Sequence, residues 1–185
     1  MSNYTGESIR VLSPAEHVRL RPGMYFGSNG PRAIEHMVYE CVANSIDQYL
    51  VGECTFVKIK IEDTLITIED DGPGLPFDKD NLDDELSNGE LYLSSIHKTP
   101  TRDNHFPHVH IASYGIGLAP VNFVSKSFQI QSWRNNCLWE QRYEKGEAVY
   151  RASILFIYEV KHYCCVRTNT KVSKYDCFGV IYLIF

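Results

Sequence analysis

The sequence has no run of apolar residues long enough to cross a membrane as a helix, which needs about 18 or more. Its first residues, 1–4, carry neither the basic nor the apolar segment of a secretory signal peptide. Its six cysteines contain no CxxC pair and lack the spacing of a small secreted domain. These absences predict free thiols in a reducing, cytoplasmic setting, with no membrane contact.

A surplus of basic residues is also missing, since 18 Lys and Arg face 23 Asp and Glu. Residues 150–185 hold five basic and two acidic side chains, so residues 1–149 hold 13 basic and 21 acidic ones, a net charge of −8. An acidic surface repels a phosphate backbone. We therefore do not expect the chain to bind nucleic acid through its overall charge. Any polyanion that it binds should be held at a local site.

Periodicity predicts helices and antiparallel strands, with no internal repeat. Helical patterns occupy residues 14–20, 31–50, 90–96 and 118–125, and strand patterns occupy 56–62, 65–69, 128–133, 138–144, 154–158 and 180–185. Their order predicts an α+β two-layer sandwich, with helices on one face of a mixed, mostly antiparallel sheet. The apolar residues 180–185 are either paired in a sheet or an aggregation hazard.

The helix predicted for residues 31–50 carries Glu40, Asn44 and Asp47 at positions i, i+4 and i+7. This spacing aligns them in one polar stripe, which we expect to lie opposite the apolar face of the helix. A solvated helix face has the same pattern. The mixture of two carboxylates and a neutral amide, however, suits a hydrated Mg²⁺, which prefers oxygen ligands and retains several waters.

Two glycine-containing turns are further candidates for a site. Residues 70–76 (DDGPGLP) end a strand and are either an ordinary turn or a ligand contact. In the second case Asp70 accepts a hydrogen bond from an exocyclic amine and Gly74 lets a flat ring approach the backbone. Residues 113–117 (SYGIG) lead into a helix whose free N–H groups could bind an anion, although most GxG sequences are only turns.

In this order, the motifs resemble the GHKL (Bergerat-fold) ATPases, specifically the ATPase domain in the B subunits of DNA gyrase and topoisomerase IV. The resemblance lies in residues 21–27 (RPGMYFG), 39–47 (YECVANSID), 70–76, 114–122 and the hairpin at 133–146. It implies an ATPase domain at 1–149, with an N-terminal arm at 1–13. Residues 150–185 are expected to be a divergent segment of strands. Because neither a transducer nor a Toprim domain is recognisable, we expect the chain not to be a complete topoisomerase subunit.

The resemblance implies a role for each residue of the polar stripe. Glu40 would be the general base that activates the water attacking the γ-phosphate of ATP. Asn44 would coordinate the Mg²⁺ that bridges the phosphates, whose charge the metal neutralises. Asp47 would support the helix and the nearby nucleotide-binding loop.

The remaining nucleotide contacts are implied in the two turns and the loop between them. Asp70 would bind the adenine amine, and Gly74 would line the ring in a loop that includes Leu75 and Pro76. Backbone N–H groups of Gly115, Ile116 and Gly117 would contact the phosphates. Residues 94–110 correspond to the lid of the family, and Lys98 is the only ammonium group there, where it is either a nucleotide contact or a solvated loop residue.

Several positions depart from the family pattern. Gln48 stands in place of a second acid, Pro73 in place of an Arg, and residues 111–112 in place of a Gly-Gly pair that would make the lid flexible. The lid contains three histidines that could bind zinc: His105, His108 and His110. Structural zinc normally takes four ligands and no fourth is evident, so we favour a lid role for this segment.

The expected function is therefore Mg²⁺-dependent ATP binding and slow hydrolysis, linked to DNA topology change. The family's arm exchanges between protomers, so Tyr4 and Ile9 are candidate contacts of an ATP-dependent homodimer. A gyrase A-like subunit and DNA would be partners only within a larger assembly. The alternative is a nucleotide-binding regulatory module that no longer hydrolyses ATP. Other GHKL branches, such as MutL-type proteins or sensor histidine kinases, fit less well because we do not expect residues 21–27 there.

Overall fold

The computed structural model describes residues 10–78, 85–96, 117–157 and 179–184. Five helices lie in these ranges: α1 (Pro14–Leu20), α2 (Pro22–Phe26), α3 (Pro31–Leu50), α4 (Asn88–Ser94) and α5 (Leu118–Val124). Seven strands accompany them: β1 (Val57–Glu62), β2 (Leu65–Asp70), β3 (Ser127–Arg134), β4 (Cys137–Glu144), β5 (Glu147–Ala148), β6 (Ser153–Ile157) and β7 (Gly179–Ile184). The predicted arm contacts Tyr4 and Ile9, and the possible zinc ligands His105, His108 and His110, lie outside the described residues.

The first two helices are separated by a single residue. Ser13 caps α1 through a capping box with Glu16, as the sequence predicts. Arg21 then ends α1 and precedes α2, which begins at Pro22. We did not predict α2 from the sequence. Proline cannot continue a helix, because it lacks an N–H group, but its fixed φ suits the first position of a new one.

The longer helix α3 has the bounds that we predicted, whereas α4 begins two residues before the predicted range. Ser87 caps α4 and receives a reciprocal bond from Glu90, which completes a capping box. This motif sets the start of the helix at Asn88 rather than at Glu90. Helix α5 starts directly after Gly117, at the predicted position.

The seven strands form one sheet in the order β1-β2-β7-β3-β4-β5, with β6 also paired to β4. All pairings among the described strands are antiparallel. The hairpin between β3 and β4 turns at Asn135 and Asn136, which both have positive φ angles, of 52° and 60°. Two consecutive positive φ angles are characteristic of the turn that best matches the twist of paired strands. These pairings confirm an α+β fold with a mostly antiparallel sheet.

Strand β7 lies in the middle of the sheet, between β2 and β3. Leu183 pairs with Ile66 on one side and with Phe128 on the other, and it is fully buried. The apolar residues near the end of the chain are therefore paired in the sheet, which was one of the two predicted alternatives. Within the sheet they supply a central row of the core.

The core lies between one face of the sheet and the helices. The sheet contributes Ile66, Ile68, Phe128, Ile130, Ile181 and Leu183, and the helices contribute Val18, Phe26, Met37, Cys41, Leu93, Leu118, Val121 and Phe123. The opposite face of the sheet carries polar side chains, such as Gln129 and Gln131, which both donate to Glu140. This division produces two layers, as predicted. Within the described ranges, no helix is both long and apolar enough to cross a membrane.

Candidate functional site

The polar stripe of α3 does not lie opposite the buried face of the helix, and this part of the prediction is wrong. Glu40 is only 3% exposed and shares the inward side with Met37 and Cys41, whereas the apolar Ile34 is 38% exposed. On this side of α3, Ser45 donates to Asp70 and Asn44 accepts from Tyr92, whereas Glu40 Oε1 accepts no hydrogen bond from the described residues. Burial of a carboxylate, with a half-buried amide one turn later, is unusual for an ordinary amphipathic helix and favours a functional role.

Glu40 is a buried carboxyl group with few polar neighbours. Its Oε1 atom lies 3.3 Å from Nε2 of His36, one helical turn earlier, without the geometry of a hydrogen bond. Burial raises the pKa of Glu40 to about 7, because the charged form loses its hydration. A carboxyl group that titrates near neutral pH can accept and release a proton there, which is what a general base requires.

Asn44 is held at both ends of its carboxamide group. Its Nδ2 atom donates to the backbone oxygen of Glu40 at 2.6 Å. Its Oδ1 atom accepts a hydrogen bond from the hydroxyl group of Tyr92 at 2.5 Å. Because a carbonyl oxygen has two lone pairs, Asn44 Oδ1 retains one for another partner.

The oxygen atoms at this position fit Mg²⁺ but not an all-protein metal cage. The described residues contain no group of three or more His, Cys, Asp or Glu side chains that could hold a metal ion. Asn44 offers one carbonyl oxygen, and the carboxyl groups of Glu40 and Asp47 belong to the same stripe. Mg²⁺ is commonly held by one or two protein oxygens together with substrate phosphates and waters, and this donor set matches that arrangement.

Tyr92 links α3 to the start of α5, and we did not single it out from the sequence. Burial, followed by the negative charge of Glu40, raises the pKa of the Tyr92 hydroxyl well above its ordinary value, so the hydroxyl remains a proton donor. A Cβ atom added to Gly117 would lie 3.5 Å from this hydroxyl. The second glycine turn and Asn44 are therefore neighbours. In the sequence, Tyr92 differs from its neighbours Leu91 and Leu93 only by its phenol group, and this was the only indication of its role.

Asp70 stands at the end of β2 with both carboxylate oxygens engaged. Ser45 Oγ donates to Oδ2 at 2.6 Å, and the Gly72 N–H group donates to Oδ1 at 2.9 Å. Each oxygen can accept a further hydrogen bond. Ser45 directly follows Asn44 in α3. Two consecutive residues of this helix therefore contact Asp70, at the end of β2, and Tyr92, which lies beside Gly117 at the start of α5.

The neighbouring Asp71 has a structural role that we did not predict. It accepts hydrogen bonds from the N–H groups of Thr55 and Phe56, at 2.7 and 3.0 Å, and from the Thr55 hydroxyl. Partial burial would raise the pKa of Asp71, but these hydrogen bonds outweigh that effect and hold it well below its usual range. Asp71 thereby fastens the loop before β1 to the end of β2.

Position 74 accepts only glycine, because residues of β3 pack directly against its Cα atom. Its φ is +72°, and an added Cβ would lie 2.5 Å from Ser132 Oγ and 2.9 Å from the Trp133 carbonyl oxygen. The next two residues are anchored as well: the Leu75 carbonyl accepts from Ser132 Oγ at 3.1 Å, and the Pro76 carbonyl accepts from the Gly89 N–H at 2.6 Å. The predicted approach of a nucleotide ring to Gly74, Leu75 and Pro76 stays a prediction.

The remaining predicted residues divide into two groups. Asp47 is partly buried, and its charge contributes to the raised pKa of Tyr92, which places it near the same cluster. Lys98, Gly115 and Ile116 lie outside the described residues. The phosphate contacts of Gly115 and Ile116 stay predictions, and so do the two alternatives for Lys98, a nucleotide contact or a solvated loop residue.

Two cavities outlined by the described residues lie away from α3. One, of about 840 Å³, is lined by residues that include Arg19, Arg142 and Lys145. The other, of about 320 Å³, is lined by residues that include Phe77 and Trp139. Neither is lined by Glu40, Asn44 or Asp70. The candidate site is therefore defined by its converging side chains, and these two cavities are not part of it.

Comparison with known proteins finds relatives that match most of this chain. The chain is 35% identical over 150 residues to the DNA gyrase B subunit of Thermotoga maritima. The aligned segment covers 80% of this chain and 23% of that protein. The chain is 35% identical over 146 residues to the DNA topoisomerase 4 B subunit of Rickettsia prowazekii, covering 78% and 22% respectively. With the DNA gyrase B subunit of Mycoplasma genitalium, the identity is 40% over 137 residues, covering 72% and 20%. No protein-family model matches the chain.

The α+β fold and the motif order are those expected of a GHKL ATPase domain, and these relatives confirm that resemblance. The chain belongs to the family formed by the B subunits of DNA gyrase and topoisomerase IV. It spans between 20% and 23% of the length of these three curated relatives.

Proposed function

We propose that this chain binds Mg²⁺ and ATP between α3, the loop after β2 and the turn before α5, and that it hydrolyses the ATP. The observation that carries the proposal is the convergence of these elements on two consecutive residues. Asn44 contacts Tyr92, which borders Gly117, and Ser45 contacts Asp70. The homology to the B subunits of gyrase and topoisomerase IV supports it independently.

In this proposal the protein's residues orient the nucleotide and remove a proton from water. Asp70, fixed by Ser45, accepts a hydrogen bond from the adenine amine with its remaining lone pairs. Glu40, with a pKa of about 7, accepts the proton of the attacking water. Asn44 Oδ1 would hold the magnesium ion, which would neutralise phosphate charge.

The proposed biological context is a type II DNA topoisomerase assembly in the cytoplasm. The relatives are named as subunits of DNA gyrase and DNA topoisomerase 4. DNA, a gyrase A-like subunit and a second copy of this chain, joined through residues 1–13, are the partners that this context implies. The acidic net charge favours contact with DNA through partner subunits over direct binding by this chain.

The proposal is tested by measuring nucleotide binding and phosphate release separately. The variants are Glu40→Gln, which keeps the shape of the side chain, and Glu35→Gln, an exposed control on the same helix. We expect calorimetry to show that all three proteins bind a non-hydrolysable ATP analogue with similar affinity. We expect Glu40→Gln alone to lose phosphate release, by about 100-fold or more.

Two other outcomes would assign a different function. Binding by all three proteins, with phosphate release absent or independent of Glu40, would indicate the non-hydrolysing nucleotide-binding module. No binding of the ATP analogue by the wild-type protein would contradict the proposal itself.

A further inference from the structure

The orientation of the Asn44 carboxamide follows from its chemical surroundings. The backbone oxygen of Glu40, 2.6 Å away, can only accept a hydrogen bond, so it must face the amide nitrogen. The carboxamide oxygen then faces the Tyr92 hydroxyl, which is 2.5 Å away and must donate. The two contacts together exclude the flipped orientation of the group.

Tyr92 is itself held firmly in place. It lies on α4, whose start is fixed by the capping box of Ser87 and Glu90. The next residue, Leu93, is fully buried, and its backbone oxygen accepts a hydrogen bond from the buried side chain of Asn122 on α5 at 2.9 Å. The residue whose hydroxyl group contacts Asn44 therefore belongs to a helix, α4, that is hydrogen-bonded to α5 through Leu93 and Asn122.

We infer that Tyr92 is a positioning residue, which presents the Asn44 carbonyl oxygen to the magnesium ion of the nucleotide complex. The inference rests on the function proposed above and assigns a new residue to it. Without the hydroxyl group, the Asn44 carboxamide would keep only its bond to Glu40 and would rotate more freely. Metal binding would then have to order the Asn44 carboxamide, and this entropic cost would reduce the favourable free energy of Mg²⁺ binding. Because Tyr92 uses one lone pair of Oδ1, the other stays available to the metal.

The test compares wild type, Tyr92→Phe, Asn44→Ala and the double variant, with Tyr39→Phe as an exposed tyrosine control on α3. The measurement is the affinity for a non-hydrolysable ATP analogue, determined by calorimetry with and without Mg²⁺. We expect Tyr92→Phe to reduce the gain in affinity that Mg²⁺ provides by about five- to tenfold, while the affinity without metal is unchanged. In the Asn44→Ala background, the same substitution should change the gain by less than about twofold.

A ligand-free readout accompanies the affinities. The side-chain amide signals of Asn44, identified by their absence in Asn44→Ala, are followed by NMR. We expect their hydrogen exchange to be slow in the wild type and faster in Tyr92→Phe. A structural role of Tyr92 elsewhere in α4 would not change this exchange selectively.

The inference would be overturned if Tyr92→Phe left the gain in affinity from Mg²⁺ unchanged, or if it increased that gain, because Tyr92 would then compete with the metal. It would also be overturned if Tyr92→Phe reduced the gain equally in the Asn44→Ala background. Binding of the nucleotide without any gain from Mg²⁺ in the wild type would overturn it too, while leaving nucleotide binding intact. Failure of the wild type to bind the nucleotide would instead contradict the proposed function along with it.

Discussion

Ser45 Oγ donates a 2.6 Å hydrogen bond to Asp70 Oδ2 and so fixes the carboxylate that ends β2 against α3. The two residues are 25 positions apart in the sequence, and Ser45 is only 2% exposed. A hydrogen bond to a charged group in a buried position is stronger than one on the surface. This contact connects the predicted adenine-binding carboxylate to the helix that carries Glu40 and Asn44.

Ser45→Ala is expected to weaken both folding and adenine binding. Loss of the hydroxyl removes one partner of a charged oxygen, so we expect the free energy of unfolding to fall by about 1–2 kcal/mol. Because Asp70 becomes less well oriented, we expect the affinity for an ATP analogue to fall by about fivefold, measured by calorimetry. The exposed Ser153→Ala is the control, and equal affinities for the two variants would contradict a role of Ser45 in orienting Asp70.

The raised pKa of Glu40 predicts a pH-dependent stability. An unfolded glutamate titrates near its ordinary value of about 4.3, whereas Glu40 in the folded protein titrates at about 7. Between these values the folded state binds the additional proton, so the stability contributed by protonated Glu40 is complete below the lower pKa and is lost as the pH rises through 7. Glu40→Gln should remove this loss and be more stable than the wild type at about pH 8, on the order of 2 kcal/mol.

Urea unfolding of both proteins at about pH 5 and about pH 8 measures this difference. The expected result is a stability advantage of Glu40→Gln that grows with pH. A constant difference between the two proteins would show that Glu40 does not titrate in this window.

Gly74→Ala is expected to be strongly destabilising. The substitution places a side chain on a residue with φ of +72° and brings its Cβ within 2.5 Å of Ser132 Oγ. Strain and overpacking together should lower the free energy of unfolding by about 2–4 kcal/mol. Gly52→Ala is a matched control, because Gly52 also has a positive φ, of +80°, but no atom lies within 4 Å of its added Cβ.

Thermal or urea unfolding of the two alanine variants separates packing from backbone strain. Gly52→Ala should lose only about 1 kcal/mol, from strain alone. If both variants lose the same amount, the close packing of the loop after β2 against β3 is not required for stability.

Leu183→Ala tests the central position of β7. The side chain is fully buried between the helices and strands β2 and β3, so its truncation should lower the free energy of unfolding by about 2–5 kcal/mol. The control is Leu155→Ala on β6, where the leucine is 49% exposed and a loss below about 1 kcal/mol is expected. Similar losses in both variants would mean that β7 does not lie in the core.

Local signals in the sequence predicted the elements more successfully than their arrangement. Pro31 and the apolar periodicity marked α3, and Asn135 and Asn136 marked the turn of a hairpin. The insertion of β7 between β2 and β3 could not be predicted, because the pattern of a strand does not specify which distant strand it pairs with. The apolar face of α3 was predicted largely correctly, but the burial of Glu40 on the same side was not, because it depends on which neighbours the helix meets.

The same distinction holds for the candidate site. Glu40, Asn44 and Asp70 were identified because their residue types and spacing suggest metal and amine binding. Tyr92 and Ser45 were missed because each acts through a contact with another part of the chain: Tyr92 with Asn44, 48 residues away, and Ser45 with Asp70. Partners of this kind are recognised only when the fold brings them together.

The most direct test of the account is a crystal structure of the protein grown with Mg²⁺ and a non-hydrolysable ATP analogue. The account predicts one nucleotide, with its adenine amine at Asp70 and its phosphates beside Asn44 and Gly117. A nucleotide bound elsewhere, such as in the cavity beside Arg19 and Arg142, or Asp70 and Gly117 facing different surfaces, would contradict it.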